Sequence, residues 1–486
     1  MGRFEVDSAH ALARREHWEP TGAATMKGLQ RGGRASLVLA SLSVVACSDR
    51  MMEPPTAPAA VSRHDVSPAD VITPALVRQL AAGRGIVPLP PAPYVRPALA
   101  KLGQALAFDK ILSGNRDIAC MTCHLPAFAT GDDKSLSVGQ GGTGLGPTRE
   151  PPATGFIPRN APAAFNLHAL KHLFWDGRVE VDAQGGFHTP AGAQITPEMA
   201  KVFEFGALSA QPMFPVTNRF EMRAFSGNEL AAISDDDLPD IWAGLMKRLG
   251  AIGEYRGLFE AAYPGTKFED MTFAHAANAI AGFMIDQFTF NHSPWDQFLA
   301  GNDKALTQRQ LAGAQTFLTL KCSICHNGST FSDEQFHDVA VAQIGPGEGD
   351  GLSGHDDFGR MRVTGNPADK YLFRTTPLRN VELTGPYGHD GAIISLRAFI
   401  EHYSESDLKL QSYDPTQLEA LLQSTLQPNQ GDILGQRDIL LAGVVLTPDL
   451  VDQLMDYMSA LTDDAARNLS RSAPKHVPSK LSVDNP

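Results

Sequence analysis

Two pentapeptides restrict this chain more than any other feature in it: Cys120-Met121-Thr122-Cys123-His124 and Cys322-Ser323-Ile324-Cys325-His326. Two cysteines three apart can form thioethers with the two vinyl groups of one porphyrin, and the adjacent histidine then reaches the iron from the proximal side. The motifs therefore predict two covalent c-type haems, one at Cys120, Cys123 and His124 and one at Cys322, Cys325 and His326. Two rival readings use the same cysteines: one zinc site built from both pairs, or two thioredoxin-like redox pairs. Neither requires a histidine after each pair, and no βαβ pattern surrounds either one.

The fifth cysteine, Cys47, has a different setting. Lys27, Arg31 and Arg34 precede an apolar run from Ala35 to Ala46 that ends in Val44-Val45-Ala46-Cys47, the layout of a secretory signal. The run is too short to anchor across a bilayer. Small residues ahead of a cysteine resemble a lipoprotein signal, so a lipid on Cys47 is expected. Ordinary cleavage nearby would instead remove it. Either route exports the chain, which suits haem ligation outside the cytoplasm. Residues 1–25 carry no apolar run, which makes Met26 a candidate start. The net charge of −13 argues against a nucleic-acid partner and suits a basic protein partner.

The 486 residues, 43% hydrophobic, are enough for two or three domains with buried cores. Residues 1–47 read as an N-terminal extension and lipoprotein-type signal, and residues 48–96, with Pro88, Pro90, Pro91 and Pro93, as a Pro/Ala-rich tether. From Pro97, Leu99, Leu102 and Leu106 recur at helical spacing and lead into the first pentapeptide. A Gly- and Pro-rich stretch from Gly131 to Pro162 follows; helical patterns return at Leu238–Leu249 and Phe273–Phe288. Trp295 to Gly301 reads as a boundary. Thr307-Gln308-Arg309-Gln310 is a capping box opening a helix toward the second pentapeptide. After the glycine-rich Gly345–Gly359, Ser395 and Thr447-Pro448 start further helices. The order helix, CxxCH, loop, helices thus occurs twice. The expected fold is mainly α: a first haem domain at 97–300, a second at 301–465, both with long Gly/Pro-rich loops, and a polar tail at 466–486. The glycines at 139–146 follow no strand and precede no Gly-Lys-Ser/Thr, so they are not a phosphate loop.

From about Leu102 to Leu461 the chain resembles the bacterial dihaem cytochrome c peroxidase and MauG family. The matching segments are Leu102-Gly103…Phe108-Asp109…Leu112-Ser113, Arg159-Asn160-Ala161-Pro162, Phe174-Trp175-Asp176-Gly177-Arg178, and Pro377-Leu378-Arg379-Asn380-Val381…Thr384-Gly385-Pro386-Tyr387-Gly388-His389-Asp390-Gly391. The resemblance implies two cytochrome c-like domains with a calcium site between them, a peroxidatic N-terminal haem and an electron-transferring C-terminal haem. The family's distal Gln, the Pro four residues later and the Glu ten residues after the Gln fall on Gln211, Pro215 and Glu221, past an insertion that follows Trp175. Calcium would be held by Asn160, Thr384 and Pro386, and Trp175 would relay electrons between haems. Oxygen donors suit a hard cation.

Two departures from the family pattern bear on function. Reductively activated members place a blocking His about sixteen residues after the first haem His; here that count reaches Gln140. The peroxidatic iron is therefore expected to be open at rest. The second iron's distal position, twelve residues past Gly391, is Tyr403, as in MauG-like members, where standard peroxidases use Met. Leu396, Phe399, Ile400 and Tyr403 share one helical face, and His402 is rotated off it. A phenolate stabilises oxidised iron and would lower that haem's potential.

The expected activity is a periplasmic, lipid-anchored peroxidase that reduces hydrogen peroxide with electrons from a small cytochrome or cupredoxin. The alternatives are MauG-like oxidation of a residue on a partner protein, and a non-enzymatic, membrane-tethered electron carrier.

Overall fold

A computed structural model describes residues 72–153 and 155–485. The signal, Cys47 and the first part of the tether lie outside the described residues. Within them the fold is mainly helical, and no helix is long and apolar enough to cross a membrane.

Each half of the chain is organised around one close helix crossing. The helix Pro97–Phe108 starts with proline at its first turn, where the missing N–H costs nothing, and buries Leu99, Leu102 and Leu106 against the helix Phe273–Phe288. The two backbones touch: a Cβ on Gly103 would stand 1.9 Å from the Ala279 carbonyl oxygen. The second half repeats this device. The helix Gln308–Thr319 packs on the helix Pro448–Ala460, and a Cβ on Gly313 would stand 1.9 Å from the Gln453 carbonyl oxygen. Any side chain at either glycine forces the pair apart.

The helix starts obey simple capping chemistry. Thr307 Oγ1 accepts from the Gln310 amide (3.2 Å) and Gln310 Oε1 accepts from the Thr307 amide (3.0 Å), which closes the expected capping box. Ser395 and Thr447 likewise cap the helices Leu396–His402 and Pro448–Ala460.

Two main apolar cores result. The first holds Leu102, Trp242, Phe259 and Phe283; the second holds Trp295, Phe317, Tyr457 and Leu461. Three expected boundaries need correction here. Residues 74–83 are not tether but the helix Pro74–Gly83, capped by Thr73, and Val77, Ala81 and Ile86 sit in the second core. The neighbouring prolines obscured a short stretch with apolar residues at helical spacing. The division between cores falls before Trp295, not at Gly301: Phe290 belongs to the first core, and Trp295 and Phe298 to the second. Ser293 caps the short helix Pro294–Leu299, and the buried Arg379–Asp296 pair (2.6 Å) pins it.

Residues 466–485 are not a free polar tail either. They return to the first core, burying Ala466, Leu469 and Val477. Ser479 Oγ donates to Asp109 Oδ1 (2.6 Å), and Thr122 Oγ1 donates to Asp484 Oδ2 (2.6 Å), inside the first pentapeptide. The N-terminal helix thus completes the second core, and the closing segment completes the first.

Sheet is minor. His172–Leu173, just before Trp175, joins Val179–Val181 and Phe187–His188 from the segment after it in a three-stranded antiparallel sheet, paired Leu173 to Val179 and Val181 to Phe187. A second pair joins Phe336–His337 to Phe373–Arg374.

Candidate active site

Both pentapeptides fold as a single helical turn, Cys120–Cys123 and Cys322–Cys325, so each pair of sulfurs lies on one side of its turn. The following histidines are held alike. His124 Nδ1 lies 3.0 Å from the Thr130 carbonyl oxygen and His326 Nδ1 3.0 Å from that of Phe331. A carbonyl only accepts, so Nδ1 carries the proton and the Nε2 lone pair is left for a metal. Burial lowers the pKa of both imidazoles and keeps them neutral.

One continuous cavity of about 420 Å³ is lined by both motifs, with Ile280, Met284, Phe317, Leu454 and Met458 among its apolar walls. Burial pushes the Cys120 thiol up to about 12 and the Cys322 thiol up to about 11, so neither has the lowered pKa of a redox-active thiolate. Among the described residues no metal cluster unites the two pairs, which disfavours the four-cysteine zinc reading. Neutral sulfurs beside an imidazole with a free Nε2, opening on an apolar cavity, fit a covalently attached haem.

Gln211, Pro215, Glu221 and Met222 line the same cavity as His124. Gln211 opens the turn Gln211–Met213 directly after the helix Ala207–Ala210. Glu221 sits in a π-helical turn, Arg219–Arg223, of the kind that often marks functional sites. Asn218 Oδ1 caps this turn, accepting from the amides of Phe220 (2.8 Å) and Glu221 (3.1 Å). Burial pushes the Glu221 carboxyl up to about 7; Arg178 and Arg159 pull it down and Glu348 works with the burial.

Gln140 does not line the cavity. Its Nε2 donates to Asp117 Oδ2 (3.1 Å), and its backbone amide donates to the Glu221 carbonyl oxygen (3.0 Å). Gly139 permits this contact, because a Cβ there would stand 2.0 Å from the Phe220 carbonyl oxygen. The loop therefore buttresses the Glu221 turn with its backbone and sends side chain 140 elsewhere.

Between the two motifs, Trp175, Asn160, Thr384 and Pro386 all line the cavity. Trp175 Nε1 donates to the Asn160 carbonyl oxygen (2.9 Å). Asn160 Nδ2 donates to the carbonyl oxygens of Lys134 (2.9 Å) and Ser135 (3.3 Å), which leaves Oδ1 as the acceptor the side chain can still offer. The Thr384 hydroxyl donates to the Val381 carbonyl oxygen (3.0 Å), and the backbone oxygens of Thr384 and Pro386 are the atoms that the family resemblance implies for a cation. This all-oxygen set fits a hard cation such as calcium.

Across from the second motif, Leu396, Phe399, Ile400 and Tyr403 line the cavity, and the Tyr403 phenol lies near enough to Cys322 and Cys325 to feel them electrostatically. Burial raises its pKa, as expected for a phenol with no cation beside it. His402 is turned away, its Nε2 2.7 Å from the Val339 carbonyl oxygen.

Two features were not foreseen from sequence. Arg159 is buried between Asp176 (2.7 Å) and Asp357 (2.6 and 2.9 Å), tying the Phe-Trp-Asp-Gly-Arg segment to the second glycine-rich loop. Its place in a matched motif was the available signal. His337 stands between Asp438 (Nδ1, 2.5 Å) and Asp333 (Nε2, 3.1 Å), close to Cys325. Both ring nitrogens are engaged by carboxylates, so it makes an ion pair and no free ligand. Nothing in its sequence neighbourhood marks it, because Asp438 is far along the chain.

Comparison with known proteins gives the same assignment. Residues 97–304 match the family described as di-haem cytochrome c peroxidase. The chain is 30% identical over 297 residues to the cytochrome c551 peroxidase of Pseudomonas aeruginosa, covering 61% of this chain and 69% of that protein. It is 27% identical over 378 residues to the methylamine utilization protein MauG of Methylorubrum extorquens, covering 77% and 87%. Among solved structures, a MauG-like protein associated with microbial copper homeostasis aligns with a TM-score of 0.55 at 23% identity, covering 78% of this chain and 94% of that one. The diheme peroxidase BthA from Burkholderia thailandensis aligns at 0.53 and 19%, covering 81% and 91%. These two show a shared fold. The chain belongs to the dihaem cytochrome c peroxidase and MauG family of oxidoreductases, whose cofactors are c-type haems.

Proposed function

We propose that this chain is an exported dihaem peroxidase that reduces hydrogen peroxide to water with two electrons from a small cytochrome or cupredoxin. The observation that carries the reading is the pairing of Gln211 and Glu221 in one cavity with His124, the carboxyl held at about 7 by burial. A carboxyl poised near neutrality is suited to taking a proton and returning it.

Cys120, Cys123 and His124 would hold one haem, and Cys322, Cys325 and His326 the other, with Tyr403 a further candidate ligand for the second. Bound there, haem supplies the iron at which a peroxide O–O bond is reduced. The chain's own groups supply the rest. Glu221 as carboxylate accepts the proton of the incoming peroxide and delivers it to the departing oxygen, so that one molecule leaves as water. The Gln211 amide donates a hydrogen bond to the oxygen that stays. Two protons from solvent and two electrons then turn the remaining oxygen into the second water, giving two waters per peroxide. Trp175 relays electrons from the second half to the first. Asn160 Oδ1 with the Thr384 and Pro386 carbonyl oxygens would hold calcium, fixing the wall on which Trp175 is hydrogen-bonded; chelation is expected to alter both haem spectra.

The export reading carries the location: periplasmic, with a lipid on Cys47 as membrane tether. Tyr403 and Gln140 together favour a second reading, MauG-like oxidation of a residue on a partner protein. An anionic ligand on the second iron disfavours electrons from a high-potential donor. Steady-state peroxide turnover with reduced cytochrome c separates the two. Vigorous turnover supports the peroxidase; slow turnover with lasting peroxide-induced spectral changes supports the partner-oxidising enzyme. A haem spectrum indifferent to peroxide would remove both and leave an electron carrier.

A further inference from the structure

Resting on the reading that both pentapeptides carry haem, we infer that Arg374 binds a propionate carboxylate of one of those haems beside Trp175. Four arginines line the cavity. Three of them have carboxylates at hand: Arg159 meets Asp176 and Asp357, Arg178 lies 3.1 Å from Asp176, and Arg379 lies 2.6 Å from Asp296. Arg374 has none among the described residues. Its Nε donates to the Phe174 carbonyl oxygen at 3.4 Å and its Nη1 to that of Thr375 at 3.2 Å, both long and both to neutral acceptors. Its Nη2 has no described partner, yet the residue is only 6% exposed.

A guanidinium stays charged even when buried, and a buried charge without a counter-ion is strongly destabilising. Burial lowers the Arg374 pKa to about 10, still far above neutrality. Glu334, the nearest acid to act on it, is occupied by the amides of Lys171 (2.5 Å) and His172 (3.1 Å). The cavity therefore holds a cation that needs an anion. A c-type haem keeps two propionates free after its vinyl groups are bonded, and carboxylates are the group a planar guanidinium grips through two nitrogens. The location adds a consequence. The Arg374 amide donates to the Trp175 carbonyl oxygen (2.9 Å), so a propionate bound here would fix a haem edge against the same backbone that carries the indole. The positive charge would also favour the reduced state of that haem.

The test uses the full-length holoprotein, with haem first counted by pyridine haemochrome, and the variants Arg374→Gln and Arg374→Lys. Both haem potentials are followed by spectroelectrochemistry, and the propionate bending bands by resonance Raman. Arg374→Gln is expected to lower the potential of one haem, leave the other unchanged and shift one propionate band; Arg374→Lys, retaining the charge, recovers most of the potential. The haem whose potential falls names the propionate's owner. Two-haem Arg374→Gln protein with wild-type potentials and bands overturns the inference while the haem reading stands. Wild-type protein without haem removes both. Should Arg374→Gln fail to accumulate, the Raman band of Arg374→Lys decides, and an unchanged band overturns the assignment.

Discussion

The two pentapeptide regions share a plan and differ in the wall that faces them. Each follows a helix crossing made through a bare glycine, folds as one turn, and locks its histidine through Nδ1 on a nearby carbonyl. Opposite the first stands a capped π-turn that carries Glu221, with Gln211 nearby. Facing the second is the helix Leu396–His402, with Tyr403 at its C-terminal cap near Cys322 and Cys325. The motif geometry is thus repeated while the facing wall is changed, and on the proposed reading the first half would take substrate and the second would pass electrons. The surroundings differ too. The first motif is clasped by the closing segment through Asp484; the second has an apolar stretch beside it that leaves Ile439 and Val445 exposed.

The largest effect that would sharpen this contrast is at Glu221. Glu221→Gln should slow the reaction with peroxide by about 100-fold or more, the usual contribution of a positioned acid–base group, with the second haem's spectrum unchanged. Stopped-flow spectroscopy reads this directly. The pH profile gives an independent check. The ionised carboxylate is the working form, so the rate should fall as pH drops through about 7 and level off above it, and Glu221→Gln should flatten the profile. A wild-type profile without that inflection breaks the assignment.

Tyr403 sharpens the other side. Replacing the phenol by a thioether in Tyr403→Met should raise the potential of the second haem and speed reduction by cytochrome c, while peroxide binding at the first haem is unaffected. An unmoved potential would mean that Tyr403 is only a wall residue.

The smallest expected effect concerns the clasp. Asp484 takes the Thr122 hydroxyl and lies 2.6 Å from Lys110 Nζ, with little exposure on either side chain of the ion pair. Asp484→Ala should cost about 1–3 kcal/mol, the loss expected when buried partners are left unsatisfied. Hydrogen exchange should rise at residues 119–124 and not at 322–326. Equal loosening of both motifs would erase the distinction.

What could be read from sequence was what local rules govern. Capping pairs and the Cys-His spacing depend on residues within a turn or two and are found where the pattern put them. Leu396, Phe399, Ile400 and Tyr403 do share the cavity wall, but His402, expected off the buried face, is itself buried against the Val339 carbonyl oxygen. The exchanged ends escaped because their stabilisation comes from afar. Val77 and Ala81 are apolar only in an Ala-rich stretch, and nothing nearby says that Trp295 and Phe298 await them. Segment 466–485 reads as polar because its anchoring groups, Ser479 and Asp484, are polar and find their partners near residue 110. The boundary at Gly301 failed for the same reason: Trp295 gives no local sign of which core will take it. Arg374 could be seen as a charge, but only burial without a counter-ion makes it informative.

The central claim is that the first motif's far wall leaves iron accessible while the second motif's far wall closes on it. Electron paramagnetic resonance of the fully oxidised holoprotein tests this most directly, because it counts high-spin and low-spin irons in one spectrum. One high-spin and one low-spin centre in equal amounts is the predicted result; two low-spin centres would contradict it.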